Sequence, residues 1–204
     1  FLKKISSTTT PILQRCLNLL FVSWQCIPQV FKERWVVPVP KPGRDCSLMR
    51  NLRPVSLTSY IGKVYEKLMV YRLGHYLMEL DLMSNMHFAY LPSRSSTDCL
   101  QYVIDRIERN FNEDVDTHAV FYDLSSAYDT VKHTVLLWKL EHEYFISGIF
   151  LNTLASFLHA RRTAVKIGGT ISAWLEDTDG VPQGGALSPL LYLIYVDHLG
   201  VLNC

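Results

Sequence analysis

Hydrophobic positions recur at two different periods along the 204-residue chain, and the switch between them predicts an α+β order of elements. After Thr10-Pro11, a hydroxyl cap followed by a first-turn proline, Ile12, Leu13, Cys16, Leu17 and Leu20 share one helical face. From Ser59 to about Leu80 the residues Ile61, Val64, Leu68, Tyr71, Leu73, Tyr76, Leu77 and Leu80 predict one long packing helix. Ser95-Ser-Thr-Asp98 fits a capping box that opens a helix through Leu100, Val103, Ile104, Ile107 and Phe111, with Asp105, Arg106, Glu108 and Arg109 on a solvated face. Val135 to Phe145 and Ile149 to His159 predict two further helices, mostly core. Ser188 before Pro189 repeats the cap-and-proline start for an apolar helix ending near Leu199.

Three stretches have strand character instead. Arg34 to Lys41 is β-rich but broken by prolines, Pro42-Gly43 is turn chemistry, and a second strand falls near Leu52 to Leu57, giving an edge hairpin with basic residues at its tip. Ala119 to Tyr122 reads as a short buried strand. Thr163 to Ile167 and Thr170 to Leu175 flank Gly168-Gly169, the two-residue turn of a hairpin, and Glu176 to Gly180 is a polar loop.

Composition changes this picture only locally. With 49% hydrophobic and 19% charged residues the chain can bury a sizeable core, and its formal net charge of +1 points to no class of partner. Residues 32–53, however, hold six cations (Lys32, Arg34, Lys41, Arg44, Arg50 and Arg53) against Glu33 and Asp45, a patch suited to phosphates. Five cysteines without a C-x-x-C pair suggest neither a zinc site nor a disulfide framework and fit a reducing compartment. No apolar run reaches the roughly 18 residues of a membrane span. A chain that opens on Phe1 reads as a piece of a longer polypeptide.

Candidate chemistry gathers at two places. Asp123 follows the apolar run, where a carboxylate can cap the next helix or, held by a sheet, bind a hard cation such as Mg2+. Gln183 sits in a loop with Gly184 and Gly185 behind it, either as plain turn chemistry or as backbone open to a ligand that side chains would exclude. Arg161, Arg162 and Lys166 on the second hairpin could meet a nucleic-acid backbone or simply be solvated. The seven histidines show no ligand spacing.

Taken in order, four blocks resemble the reverse transcriptases of non-LTR (LINE-like) retrotransposons. Val36-Val-Pro-Val-Pro-Lys-Pro-Gly43, Leu52-Arg-Pro-Val-Ser-Leu57 and Gly62-Lys-Val-Tyr-Glu-Lys-Leu68 look like the fingers segment of that family. Phe88-Ala-Tyr-Leu-Pro-Ser-Arg-Ser-Ser-Thr-Asp98 is similar to the next block, with Leu91 and Ser93 where Arg and Gly are common. Phe121-Tyr-Asp-Leu-Ser-Ser-Ala-Tyr-Asp129 looks like motif A of the palm, and Gly180-Val-Pro-Gln-Gly-Gly-Ala-Leu-Ser-Pro-Leu-Leu191 like motif B.

The resemblance implies an in-line phosphoryl transfer assisted by two Mg2+ ions, with Mn2+ as a substitute. Asp123 and the carbonyl of Leu124 would be metal ligands, with Asp123 catalytic. Tyr128 would underlie the incoming sugar and exclude a 2′ hydroxyl. Gln183 and Gly184 would line the nucleotide and template pocket, while Arg53 and Lys41 hold the triphosphate. Arg44, Arg161, Arg162 and Lys166 would contact nucleic acid. Template RNA, a DNA primer and deoxynucleotide triphosphates are the implied partners, in the nucleus and cytoplasm; no membrane is implied, and the oligomeric state is open.

The implied fold is right-hand polymerase fingers with an N-terminal helix over residues 1–117 and a partial palm over residues 118–204, an antiparallel sheet with helices packed on it and no thumb. One departure stands out: the Ala-Asp-Asp motif that follows motif B in the family does not occur before Cys204, so this chain alone is expected to lack polymerase activity. A group II intron-type enzyme is the neighbouring alternative. A catalytically dead derivative that binds RNA or protein through the basic patch is the other.

Overall fold

A computed structural model describes residues 9–201. The expected helices form, with shifted ends. α1 (Thr9–Leu19) runs on into a π-helical turn at Leu20–Trp24, so the helix is already under way at Thr9, before Pro11. A single turn, α2 (Gln29–Lys32), leads into the sheet. α3 (Tyr60–Glu79) is capped by Ser59, whose hydroxyl accepts from the Gly62 amide, and α4 (Ser96–Asn112) opens on a complete capping box between Ser95 and Asp98. α5 (His133–His142), α6 (Gly148–Leu158) and α7 (Ser188–Val196) follow. At α7 the expected cap is not used as one. Ser188 lies inside the helix and its hydroxyl donates to the Pro182 carbonyl.

The sheet has five strands: β1 (Glu33–Pro40), β2 (Leu52–Leu57), β3 (Arg161–Ile167), β4 (Thr170–Ile171) and β5 (Leu175–Asp177). β1 and β2 form the expected antiparallel hairpin, Val39 opposite Arg53 and Trp35 opposite Leu57. β3 turns into β4 through Gly168 and Gly169, both at positive φ (54° and 93°), as a two-residue hairpin turn requires. β5, expected to be part loop, pairs antiparallel with β3.

One pairing departs from an all-antiparallel sheet. β3 lies parallel to β1, Trp35 opposite Ala164, which the long intervening chain permits. This pairing also carries residues 161–177 into the sheet of β1 and β2.

The core is helical. Tyr65, Met69, Leu73 and Leu77 of α3 pack with Leu136 and Leu140 of α5, Leu154, Phe157 and Leu158 of α6, and Leu190, Leu191 and Ile194 of α7. The buried face of α3 is the expected one only in part: Leu73 and Leu77 are buried and Val64 and Tyr76 pack against the core, but Ile61, Leu68, Tyr71 and Leu80 are exposed and Gly62, Tyr65, Glu66 and Met69 face inward instead. α3 is apolar around much of its circumference, so spacing alone could not choose. Close approach chooses: a Cβ on Gly62 would lie 3.2 Å from Phe31 Cβ.

The predicted strand at Ala119 to Tyr122 does not form. Residues 115–124 are irregular, and Val120, Phe121 and Tyr122 stand 71%, 91% and 87% exposed. An isolated strand leaves its amides and carbonyls unpaired, and no described strand lies beside this one. The apolar face of α4, including Leu100, Ile107 and Phe111, is likewise exposed. No described helix is long and apolar enough to cross a membrane.

Candidate functional site

The two candidate motifs meet through their backbones. After Asp123 the chain folds into tight turns over residues 125–130, with Ser126 at φ 55° and its carbonyl accepting from the amides of Asp129 and Thr130. The segment then pairs with the start of the second motif: the Gly180 amide donates to the Val131 carbonyl and the Val181 amide to the Tyr128 carbonyl, each at 2.8 Å. Gly180 is a steric requirement there. It sits at φ 83°, and a Cβ on it would lie 3.0 Å from both Asp129 Cα and the Tyr128 carbonyl.

Side chains reinforce the junction. His133, buried at the start of α5, donates from Nε2 to the Gly180 carbonyl at 2.7 Å. Lys132 pairs with Asp179 at 2.6 Å on the surface. Tyr128 is half-buried, its ring edge-on to Tyr192 of α7 at 5.3 Å. Burial, followed by its hydrogen bond with Tyr90, pushes its phenol up to about 12, so the hydroxyl stays protonated.

Beyond Gly180, Val181 and Pro182 are buried while Gln183 and Gly184 emerge into solvent. The turn closes on the Pro182 carbonyl, which accepts from the Gly185 amide at 2.9 Å and from the Ser188 hydroxyl at 2.7 Å. Gly184 has φ 91° with open space around it. Glu66 reaches this loop from α3: its Oε2 accepts from the amides of Ala186 (2.5 Å) and Leu187 (3.3 Å). Burial raises the Glu66 carboxyl above its ordinary range, against the pull of these two amides and of the Arg161 and Lys63 charges.

Asp123 is placed differently from the expectation. It is exposed on an irregular segment and is not carried by a sheet. Its carboxylate and the Leu124 carbonyl are oxygen donors of the kind a hard cation takes. Among the described residues, though, no cluster of three or more His, Cys, Asp or Glu could hold a metal. The donor set is therefore partial. Asp197 does not add to it, because its carboxylate is committed to His87 (2.6 Å), the Tyr144 hydroxyl (2.8 Å) and the Ser84 amide (3.2 Å).

The basic candidates separate by strand face. Alternation and register put Arg53, Trp35, Val39, Arg162 and Lys166 on one face of the sheet and Arg34, Arg161 and Thr163 on the other. On the first face Arg53 and Lys166 are exposed and make no ion pair among the described residues. Arg162 is bound to Glu33 at 2.6 Å and lies over Trp174. On the second face Arg34 pairs with Asp177 at 3.2 Å and donates to Thr163.

Arg161 cannot meet a nucleic-acid backbone. It is 1% exposed, stacked on Phe157 and donating to the Phe157 carbonyl, with Nε and Nη2 unpartnered. At the β1–β2 tip, Arg44 is exposed, while the Lys41 ammonium turns back onto the Arg50 carbonyl at 2.9 Å.

Glu66, His133 and Gly180 thus join the site although sequence reasoning gave them no role. The local signals were a glutamate amid the apolar positions of a helix and a glycine at the head of the motif B block.

Comparison with known proteins gives the family. Residues 39–201 match the reverse transcriptase (RNA-dependent DNA polymerase) family. Similar proteins from Drosophila melanogaster include the probable RNA-directed DNA polymerase from transposon BS, 28% identical over 88% of this chain and 20% of the relative. The corresponding protein from transposon X-element is 28% identical over 85% and 19%. The RNA-directed DNA polymerase from mobile element jockey is 27% identical over 84% and 19%. The chain spans about a fifth of the length of these relatives. With most of its length matched, the chain belongs to the reverse transcriptase family, and the relatives it resembles are polymerases of transposons and mobile elements.

Proposed function

We propose that this chain is the fingers and the amino-terminal part of the palm of an RNA-directed DNA polymerase that copies retrotransposon RNA onto a DNA primer. The observation that supports the reading is the backbone pairing of Tyr128 and Val131 with Val181 and Gly180, which joins the segment bearing the candidate sugar-contacting ring to the segment bearing the Gln183-Gly184 turn. A tyrosine so held offers a flat, rigid wall to a deoxyribose, and an exposed glycine turn lets a base or sugar approach the backbone.

Divalent cations, Mg2+ or Mn2+, supply charge stabilisation at the attacking 3′ oxygen and the leaving pyrophosphate in this class of reaction. Asp123 and the Leu124 carbonyl would contribute to holding them, together with ligands from outside the described residues. Arg53 offers a free guanidinium for bidentate contact with a triphosphate. Lys41 joins it only by leaving the Arg50 carbonyl. Arg44 and Lys166 would meet the nucleic-acid backbone, and Arg162 would do so after releasing Glu33.

The test is Asp123→Asn in the polymerase polypeptide that carries this segment. Incorporation of deoxynucleotides on an RNA template should fall by at least about a thousandfold, because an amide oxygen is a far weaker ligand for a hard cation than a carboxylate. Because Asp123 is exposed, the thermal transition should not move. Undiminished incorporation would refute the assignment.

A further inference from the structure

The motif B turn is closed locally but anchored from elsewhere. The bonds that Pro182 accepts come from Gly185 and Ser188. They shape the turn without fixing it to the body of the protein. Glu66 does that: 120 residues away in sequence and 3% exposed, it presents one carboxylate oxygen to the amides of Ala186 and Leu187. These amides stand at the entry of α7, where the helix dipole favours an anion. The packing around the oxygen is close. A Cβ on Gly185 would come within 3.1 Å of Glu66 Oε2 and 2.7 Å of Ser188 Oγ, so Gly185 is the residue that lets the carboxylate in.

We propose that Glu66 is a positioning residue of the reaction: by holding the amides of Ala186 and Leu187 from α3, it fixes where the Gln183-Gly184 turn presents itself to the nucleotide. The anchoring stands on this geometry alone. Its consequence for catalysis rests on the reading of that turn as a nucleotide contact.

Three variants separate anchoring from packing. Glu66→Leu keeps most of the volume and removes the acceptor, Glu66→Gln keeps an acceptor oxygen without the charge, and Glu66→Asp keeps the charge but shortens the reach by one methylene. Hydrogen exchange of the 204-residue chain, followed by mass spectrometry, reads the turn directly. In Glu66→Leu the peptide spanning 183–190 should exchange at least about tenfold faster while α5 and α6 keep their protection, and Glu66→Gln should restore most of the difference. Should Glu66→Leu fail to fold, Glu66→Asp decides the question by the same peptide. Unchanged exchange there, or equal loss of protection in α5 and α6, would overturn the proposal.

In the polymerase carrying this segment, Glu66→Asp should raise KM for deoxynucleotides about tenfold or more with a smaller change in kcat, and Glu66→Gln should remain near the parent. A loosened turn with unaltered kinetics would leave the anchor in place and overturn the nucleotide reading of Gln183 and Gly184 instead.

Discussion

His133 and Gly180 meet at 2.7 Å across 47 residues of sequence, imidazole Nε2 donating to a buried carbonyl. Because a carbonyl can only accept, Nε2 must carry a proton in this contact. Through it the start of α5 grips the same glycine whose amide already pairs with Val131. The junction of the two motifs is therefore held at three successive backbone groups, the Gly180 amide, its carbonyl and the Val181 amide.

Removing the imidazole leaves the Gly180 carbonyl short of its buried donor. His133→Leu should lower the unfolding free energy by about 1–3 kcal/mol, the usual cost of stranding a buried acceptor. His133→Gln, whose side-chain amide can donate, should recover part of it. Urea denaturation of the three proteins measures this, and equal stability of His133→Leu and the parent would show that the bond contributes nothing.

Glycine substitutions should rank by crowding. At Gly180 an alanine faces both a positive φ and backbone atoms at 3.0 Å, whereas at Gly184 it meets the same kind of φ with nothing within 4 Å. Gly184→Ala should cost about 1–2 kcal/mol of torsional strain. Gly180→Ala should cost clearly more, because the backbone of Asp129 cannot yield as a flexible side chain can. Thermal melts of the pair give the order, and a reversed order would mean that the junction is not as tight as drawn.

How much of this was legible depended on whether the deciding partner was near in sequence. The capping box at Ser95 and Asp98 and the Gly168-Gly169 turn are local, and both read correctly. The face of α3 was ambiguous because its apolar residues surround the helix, and Phe31 against Gly62 settles what spacing could not. The run at Ala119 to Tyr122 has strand composition, but a strand exists only beside another strand. Around the site, Asp123 and Gln183 could be picked out by motif, but Glu66 and His133 could not, since each acts on a backbone group 120 or 47 residues away.

Arg161 shows the same limit, for its residue type suggested a surface role and its strand parity buried it. Burial is the main cause that holds its guanidinium down to about 10, opposed by the nearby Glu66 carboxylate. A cation whose folded value lies below its unfolded one weakens the fold wherever it is charged, here throughout the range below about pH 10, and relief comes only above it. Arg161→Met should therefore stay within about 1 kcal/mol of the parent at pH 7, because it exchanges an incompletely paired charge for a similar apolar volume. Arg161→Ala, which opens a cavity beside Phe157, should lose about 3 kcal/mol. If methionine proved as damaging as alanine, charge rather than volume would be what this position supplies.

Tyr128 is where fold and chemistry are most closely coupled, since the ring that packs on Tyr192 is the one proposed to lie beneath the incoming sugar. Tyr128→Phe removes the hydroxyl and its bond with Tyr90 but keeps the wall, so discrimination against ribonucleotides should persist. Tyr128→Ala removes the wall: in the polymerase carrying this segment, the ratio of ribonucleotide to deoxynucleotide incorporation should rise by about tenfold or more, since a well-packed contact of this size is worth about 1–3 kcal/mol of discrimination. The same variant should lose about 2 kcal/mol of stability through the half-buried ring, so incorporation ratios are to be measured below its melting transition. A ratio unmoved in a folded Tyr128→Ala protein would place the sugar elsewhere and leave Tyr128 as a packing residue between the two motifs.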